Sequence, residues 1–88
     1  MRIQEIHYSA HFLRTLKKLS PELRAEIKKR DKIFRNNCFD PRFKTHKLLG
    51  DQKGHWSFSL TYSIRVLFEF LEKGKVGFID VGDHSIYQ

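Results

Sequence analysis

The chain has 88 residues, the size of one small domain, and no apolar run approaches the roughly 18 residues that a membrane span needs. Apolar residues make up 40% of it, with eight Phe, three Tyr and one Trp, enough for a packed core and against disorder; lone Cys38 excludes an internal disulfide, and the charged N-terminus does not read as a secretory leader, so a cytoplasmic protein is expected. Lys and Arg outnumber Asp and Glu by 17 to 10, a net charge of +7 whose whole surplus falls between Arg14 and Lys53. Such a field draws polyanions, nucleic acid first, although charge alone does not separate that reading from a solvated helix face.

Met1 to Tyr8 alternates weakly through Ile3, Ile6 and Tyr8 and predicts a short strand. Ser9 has the character of an N-cap for an amphipathic helix carrying Phe12, Leu13, Leu16 and Leu19 on one side and Arg14, Lys17 and Lys18 on the other. Ser20-Pro21-Glu22 restarts the chain with a cap, a first-turn proline and an acid that complements the helix dipole. The second helix runs from about Pro21 to Arg35 with a thin apolar stripe of Leu23, Ile27 and Phe34, edged by Ile33, and a strongly basic remainder. Asn36 to Pro41 ends it, and Arg42 to Lys53 is expected to be a basic loop.

Gly54 to Phe70 then holds two alternating runs back to back, a β-hairpin. Trp56, Phe58 and Leu60 share one face, and Ile64, Val66, Phe68 and Phe70 form its counterpart. A two-residue loop would oppose Leu60 to Arg65, whereas a three-residue loop over Thr61, Tyr62 and Ser63 opposes Leu60 to Ile64. The second register keeps apolar with apolar, so it predicts that Ser59 and Arg65 are cross-strand neighbours on an open face that also carries Ser57. Glu72 to Lys75 forms a turn, Val76 to Val81 a last strand, and Gly82 to Gln88 the end of the chain. The expected fold is α+β, in the order β-α-α-β-β-β, with a helical hairpin on a small, mostly antiparallel sheet.

No CxxC pair, HExxH motif, carboxylate cluster or Gly-rich phosphate loop is present, so no metal or cofactor is expected. The basic surface, His46, His55, His84, Arg65, Tyr87 and the open-face serines suffice for metal-free RNA cleavage, in which a 2′-hydroxyl attacks the adjacent phosphate. That reaction needs a base at the 2′-oxygen, an acid at the leaving 5′-oxygen and cations over the phosphorane. Each candidate also has an ordinary structural reading. His46 is a histidine in a polar loop, Arg65 has Glu69 as a possible surface partner, and His84 and Tyr87 are compatible with a capped, packed C-terminus. Trp56 shares the parity of Phe58 and reads as core, and Asp83 is either a turn residue or a partner for His84.

The segments His46-Lys47-Leu48, Lys53-Gly54-His55-Trp56-Ser57-Phe58-Ser59, Ile64-Arg65-Val66-Leu67-Phe68 and Val81-Gly82-Asp83-His84-Ser85-Ile86-Tyr87, in that order and spacing, resemble the RelE/ParE superfamily of type II toxin–antitoxin toxins. The likeness is to its RelE and YafQ-like messenger-RNA interferase branch and spans essentially the whole chain. It implies ribosome-dependent cleavage of mRNA in the A site, leaving a 2′,3′-cyclic phosphate and a 5′-hydroxyl. It also implies a small antitoxin that wraps the basic surface, with operator DNA bound only through that complex. In the matched positions His46 and His84 would move protons, Arg65 would contact phosphate and Tyr87 would stack on or orient the substrate. Lys44, Lys47 and Lys53 would hold ribosomal or messenger RNA, with Ser57 and Ser59 lining the same face. Two positions depart from the YafQ-like pattern by losing positive charge: Ser59 stands for a histidine, or the lysine of RelE, and Asp80 for an arginine. The ParE branch, which poisons DNA gyrase without cutting RNA, usually lacks the His-x-x-Tyr ending and ranks second; a basic RNA-binding module without chemistry is the third reading.

Overall fold

A computed structural model describes residues 1–50 and 54–87. Strand β1 (Glu5–Tyr8) is followed by helices α1 (Ala10–Lys18) and α2 (Pro21–Asn36), a 3-10 turn at Pro41–Phe43, and strands β2 (His46–Lys47), β3 (Trp56–Ser59), β4 (Arg65–Phe70) and β5 (Lys75–Gly82). A second 3-10 turn, His84–Tyr87, follows β5. The sheet order is β1-β5-β4-β3-β2, with β1 parallel to β5 and every other pair antiparallel. The expected α+β fold and its element order hold, with one strand more than the sequence predicts.

Both serine caps form. Ser9 Oγ accepts the Phe12 amide at 2.9 Å, and its hydroxyl donates to the Ile79 carbonyl at 3.0 Å, which pins the start of α1 to β5. Ser20 Oγ accepts the Leu23 amide at 3.2 Å, and Pro21 opens α2 where no backbone donor is required. The two helices cover one face of the sheet, and the core between them is aromatic. Phe34 of α2 meets Phe43, Phe58, Phe68 and Phe78 with ring centroids 4.5–5.7 Å apart, mostly edge-to-face, a geometry that adds to simple area burial. Trp56 packs at the edge of this core against Phe39 and Phe70.

The hairpin adopts the three-residue turn. Trp56 opposes Phe68, Phe58 opposes Val66 and Ser59 opposes Arg65, and the Leu60 amide donates to the Ile64 carbonyl at 2.8 Å. Three expectations are corrected. Regular pairing of the first strand starts at Glu5, not Met1; Ile3 is buried before it, with its amide on the Arg35 carbonyl at 2.7 Å. The basic loop contains a 3-10 turn and the edge strand β2, because Asp40 caps Pro41 and His46–Lys47 pair with Ser57 and Trp56. The sheet face opposite the helices is not fully open: Ser57 is fully buried and Leu67 nearly so, and the C-terminal 3-10 turn contacts β4 and β5.

Candidate active site

Arg65 is placed by the hairpin register, with Ser59 on one side and Gly82 on the other. Its guanidinium does not reach for Glu69. Nη1 donates to the Thr61 carbonyl at 3.1 Å and the Tyr62 carbonyl at 2.8 Å, so the turn that sets the register also clamps the arginine. The turn is itself held by the Ile64 amide on Thr61 Oγ1 at 3.2 Å.

The C-terminal 3-10 turn brings His84 and Tyr87 to the same face. Asp83 starts it by accepting the Ser85 amide at 2.9 Å, and hydrogen bonding from the Ser85 side chain first and its amide second, ahead of the neighbouring His84, holds the Asp83 carboxyl below its ordinary range. Asp83 is thus the turn residue. Gly82 makes room for the turn: a Cβ there would lie 2.8 Å from Ile86 Cγ2. The Tyr87 hydroxyl hydrogen-bonds Ser57 Oγ, and the His84 and Tyr87 rings meet edge-on at 5.8 Å. Ser57 therefore anchors Tyr87 and is fully buried, a correction to the open-face placement expected for it.

His46 stands on β2 directly opposite Ser57, on the Tyr87 side of the sheet. Its Nδ1 lies 2.9 Å from the Lys44 carbonyl; a carbonyl only accepts, so Nδ1 is the donor and the lone pair of a neutral ring sits on Nε2. Lys44 ends the first 3-10 turn in the left-handed region, φ 50° and ψ 41°, unusual for a residue with a side chain. Lys47 alternates to the helix side opposite Trp56 and does not line the cavities beside Arg65. Lys53 falls outside the described residues. Asp80 is paired with His11, whose Nε2 lies 3.1 Å from Oδ1, and its carboxylate also accepts the Val81 amide at 2.8 Å.

Arg65 and Tyr62 border two cavities. One, of about 540 Å³, is lined by Tyr62, Ser63, Arg65, Asp83 and His84. The other, of about 220 Å³, is lined by Arg30, Arg42, Lys44, Ser59, Leu60, Thr61, Tyr62 and Arg65. Sequence reasoning missed Arg30 and Arg42. Arg30 was detectable, since it lies one helical turn before the core residue Phe34 and so borders the buried face of α2. Among the described residues, no group of three or more His, Cys, Asp or Glu is placed to hold a metal, and no helix is long and apolar enough to cross a membrane.

Compared with protein-family models and with curated proteins, the sequence matches none. Solved structures do match. The YoeB/ParE toxin from Agrobacterium tumefaciens superposes with a TM-score of 0.74 over 92% of this chain and 99% of that one, at 16% identity. The chain carries the RelE/ParE toxin fold. The RelBE2 toxin–antitoxin complex from Mycobacterium tuberculosis matches at TM-score 0.72 and 18% identity, covering 97% of this chain and 95% of its counterpart. In the E. coli DinJ-YafQ toxin–antitoxin complex the corresponding values are 0.73 and 19%, with 98% and 97% covered. At these identities the RelE/ParE likeness read in the sequence is established as a likeness of fold, and the neighbours include both ParE and YafQ toxins.

Proposed function

We propose that the protein is the toxin of a type II toxin–antitoxin system and a metal-independent endoribonuclease that cuts mRNA in the ribosomal A site. The observation that carries this reading is that Arg65 and His84, from elements far apart in sequence, line one cavity beside a Tyr87 held on Ser57. In the proposed step, His46 Nε2 takes the 2′-hydroxyl proton as the 2′-oxygen bonds to phosphorus. Arg65 faces the charge that grows on the phosphorane, a preorganised donor where charge develops. The bond from phosphorus to the 5′-oxygen breaks, and His84 gives that oxygen its proton, leaving a 2′,3′-cyclic phosphate and a 5′-hydroxyl. The Nδ1–H bond of His46 to the Lys44 carbonyl supports the base role for His46, and His84 takes the acid role that remains.

The partners under this reading are the ribosome with its mRNA and a cognate antitoxin laid on the basic surface; solved relatives of the same fold are toxin–antitoxin complexes. Ser59, together with an Asp80 bound to His11, favours a second reading, a ParE-like gyrase toxin without nuclease activity, because both positions withhold positive charge from the site. Induced expression separates the two. Arrested translation with transcripts shortened at ribosome-occupied codons supports the nuclease, and intact mRNA with DNA damage would overturn it.

A further inference from the structure

We propose that the cavity between Arg30, Arg42, Lys44, Ser59 and Arg65 is a second phosphate subsite, which seats the phosphodiester next to the one being cut. The inference rests on the nuclease reading and extends it to how the strand is held. Four cationic side chains from three separate parts of the chain line this cavity, and no carboxylate does. Three of the four are positioned in advance by part of their own hydrogen-bonding edge. Arg30 is held through Nε by Glu26 at 3.2 Å, Arg42 through Nε and Nη2 by Asp40, both at 2.9 Å, and Arg65 through Nη1 by the turn carbonyls. Each retains donors beyond those bonds, since a guanidinium has five. Arginines whose rotamers are already fixed lose little freedom on binding, and their planar forks match phosphate oxygens.

The cavity also accounts for Ser59. The cation missing from that strand position is compensated by Arg30 from α2 and by Arg42 and Lys44 from the 3-10 turn, which line the same cavity as Ser59. Arg65 borders both cavities, so a strand crossing it sets the reacting phosphate toward His84 and the neighbouring phosphate among the four cations.

The test is binding of a 2′-O-methyl RNA tetranucleotide, which lacks the attacking hydroxyl, to the full chain by calorimetry over a range of salt. Arg30→Gln and Arg42→Gln should each weaken binding about tenfold and lower the log–log salt slope by roughly 0.7, the value for one single-strand phosphate contact. Lys29→Gln, on an exposed neighbour of Arg30 that does not line the cavity, should change neither. Replacing one internal phosphodiester at a time by an uncharged methylphosphonate should identify a position where the Arg30→Gln effect disappears. Inorganic phosphate should bind the same arginines far more weakly than the tetranucleotide. Equal losses in all three variants, no position of coupling, or no binding of the tetranucleotide would overturn the subsite. Coupled binding without mRNA cleavage would support the subsite and remove the nuclease reading; cleavage unaffected by Arg30→Gln would do the reverse.

Discussion

Replacing Gly82 by Ala would set a carbon 2.8 Å from Ile86 Cγ2, where two carbons in contact prefer about 3.5–4.0 Å. Overpacking of this kind costs about 1–3 kcal/mol if nothing moves. The hydrogen bond of Tyr87 to Ser57, which ties the C-terminal turn to the sheet, contributes only about 0.5–1.5 kcal/mol. The clash matches or exceeds what that bond contributes, so the turn should shift away from the sheet and carry His84 and Tyr87 with it. A misplacement of about 1 Å in a catalytic group lowers rate roughly 100-fold, so mRNA cleavage in a translating extract should fall by about that factor. The melting temperature should drop by less than about 10 °C, because the core beneath is untouched. Adding Ile86→Ala removes the colliding methyl and should restore most of the lost activity. Full activity in Gly82→Ala, or a double variant no better than the single, would refute the idea that Gly82 is small in order to seat the turn.

Phe34→Ala removes the ring that meets four others and should cost about 3–5 kcal/mol, read from the denaturant midpoint; a loss under 1 kcal/mol would contradict the central place given to this ring. Lys44→Gly relieves a left-handed backbone, so the melting temperature should rise by a few degrees while tetranucleotide binding weakens; the two moving together would contradict the assignment. Arg42 holds the Asp40 carboxyl at about 2, below its value in the unfolded chain near 4, so this pair stabilises the fold above about pH 4 and ceases to as pH falls toward 2. Asp40→Asn should accordingly be less stable than the parent at neutral pH and equal to it near pH 2, and a gap that persists in acid would count against the pair.

The hairpin was legible because strand parity is unforgiving: a slip of one residue at Thr61-Tyr62-Ser63 would have turned Phe58 and Val66 outward, and the register with Ser59 beside Arg65 followed. The helices were legible through Ser9 and Ser20, whose hydroxyls found the expected amides. Strand β2 was not, since two polar residues on a sheet edge, His46 and Lys47, carry no alternation of their own and take their conformation from β3. The parallel pairing of β1 with β5 joins the two ends of the chain, a contact that no local pattern encodes. Ser57 was misread as exposed because the cover over it, Tyr87, comes from thirty residues away. A clue was present in Leu67, an apolar residue of outward parity in β4 that had to be covered by something. The candidate site divides likewise: Arg65 followed from register, and His84 and Tyr87 from the resemblance. Arg30 and Arg42 required the packing of α2 and the 3-10 turn against the hairpin end.

The most direct measurement is the chemistry of the cut ends when the purified chain acts on ribosomes programmed with a defined mRNA. The account predicts a 2′,3′-cyclic phosphate upstream and a 5′-hydroxyl downstream of each cut, with Arg65→Ala slower by about 100- to 1000-fold, the usual loss when one preorganised oxyanion donor is removed. Ends bearing a 5′-phosphate, an mRNA left intact, or an Arg65→Ala variant as fast as the parent would contradict it.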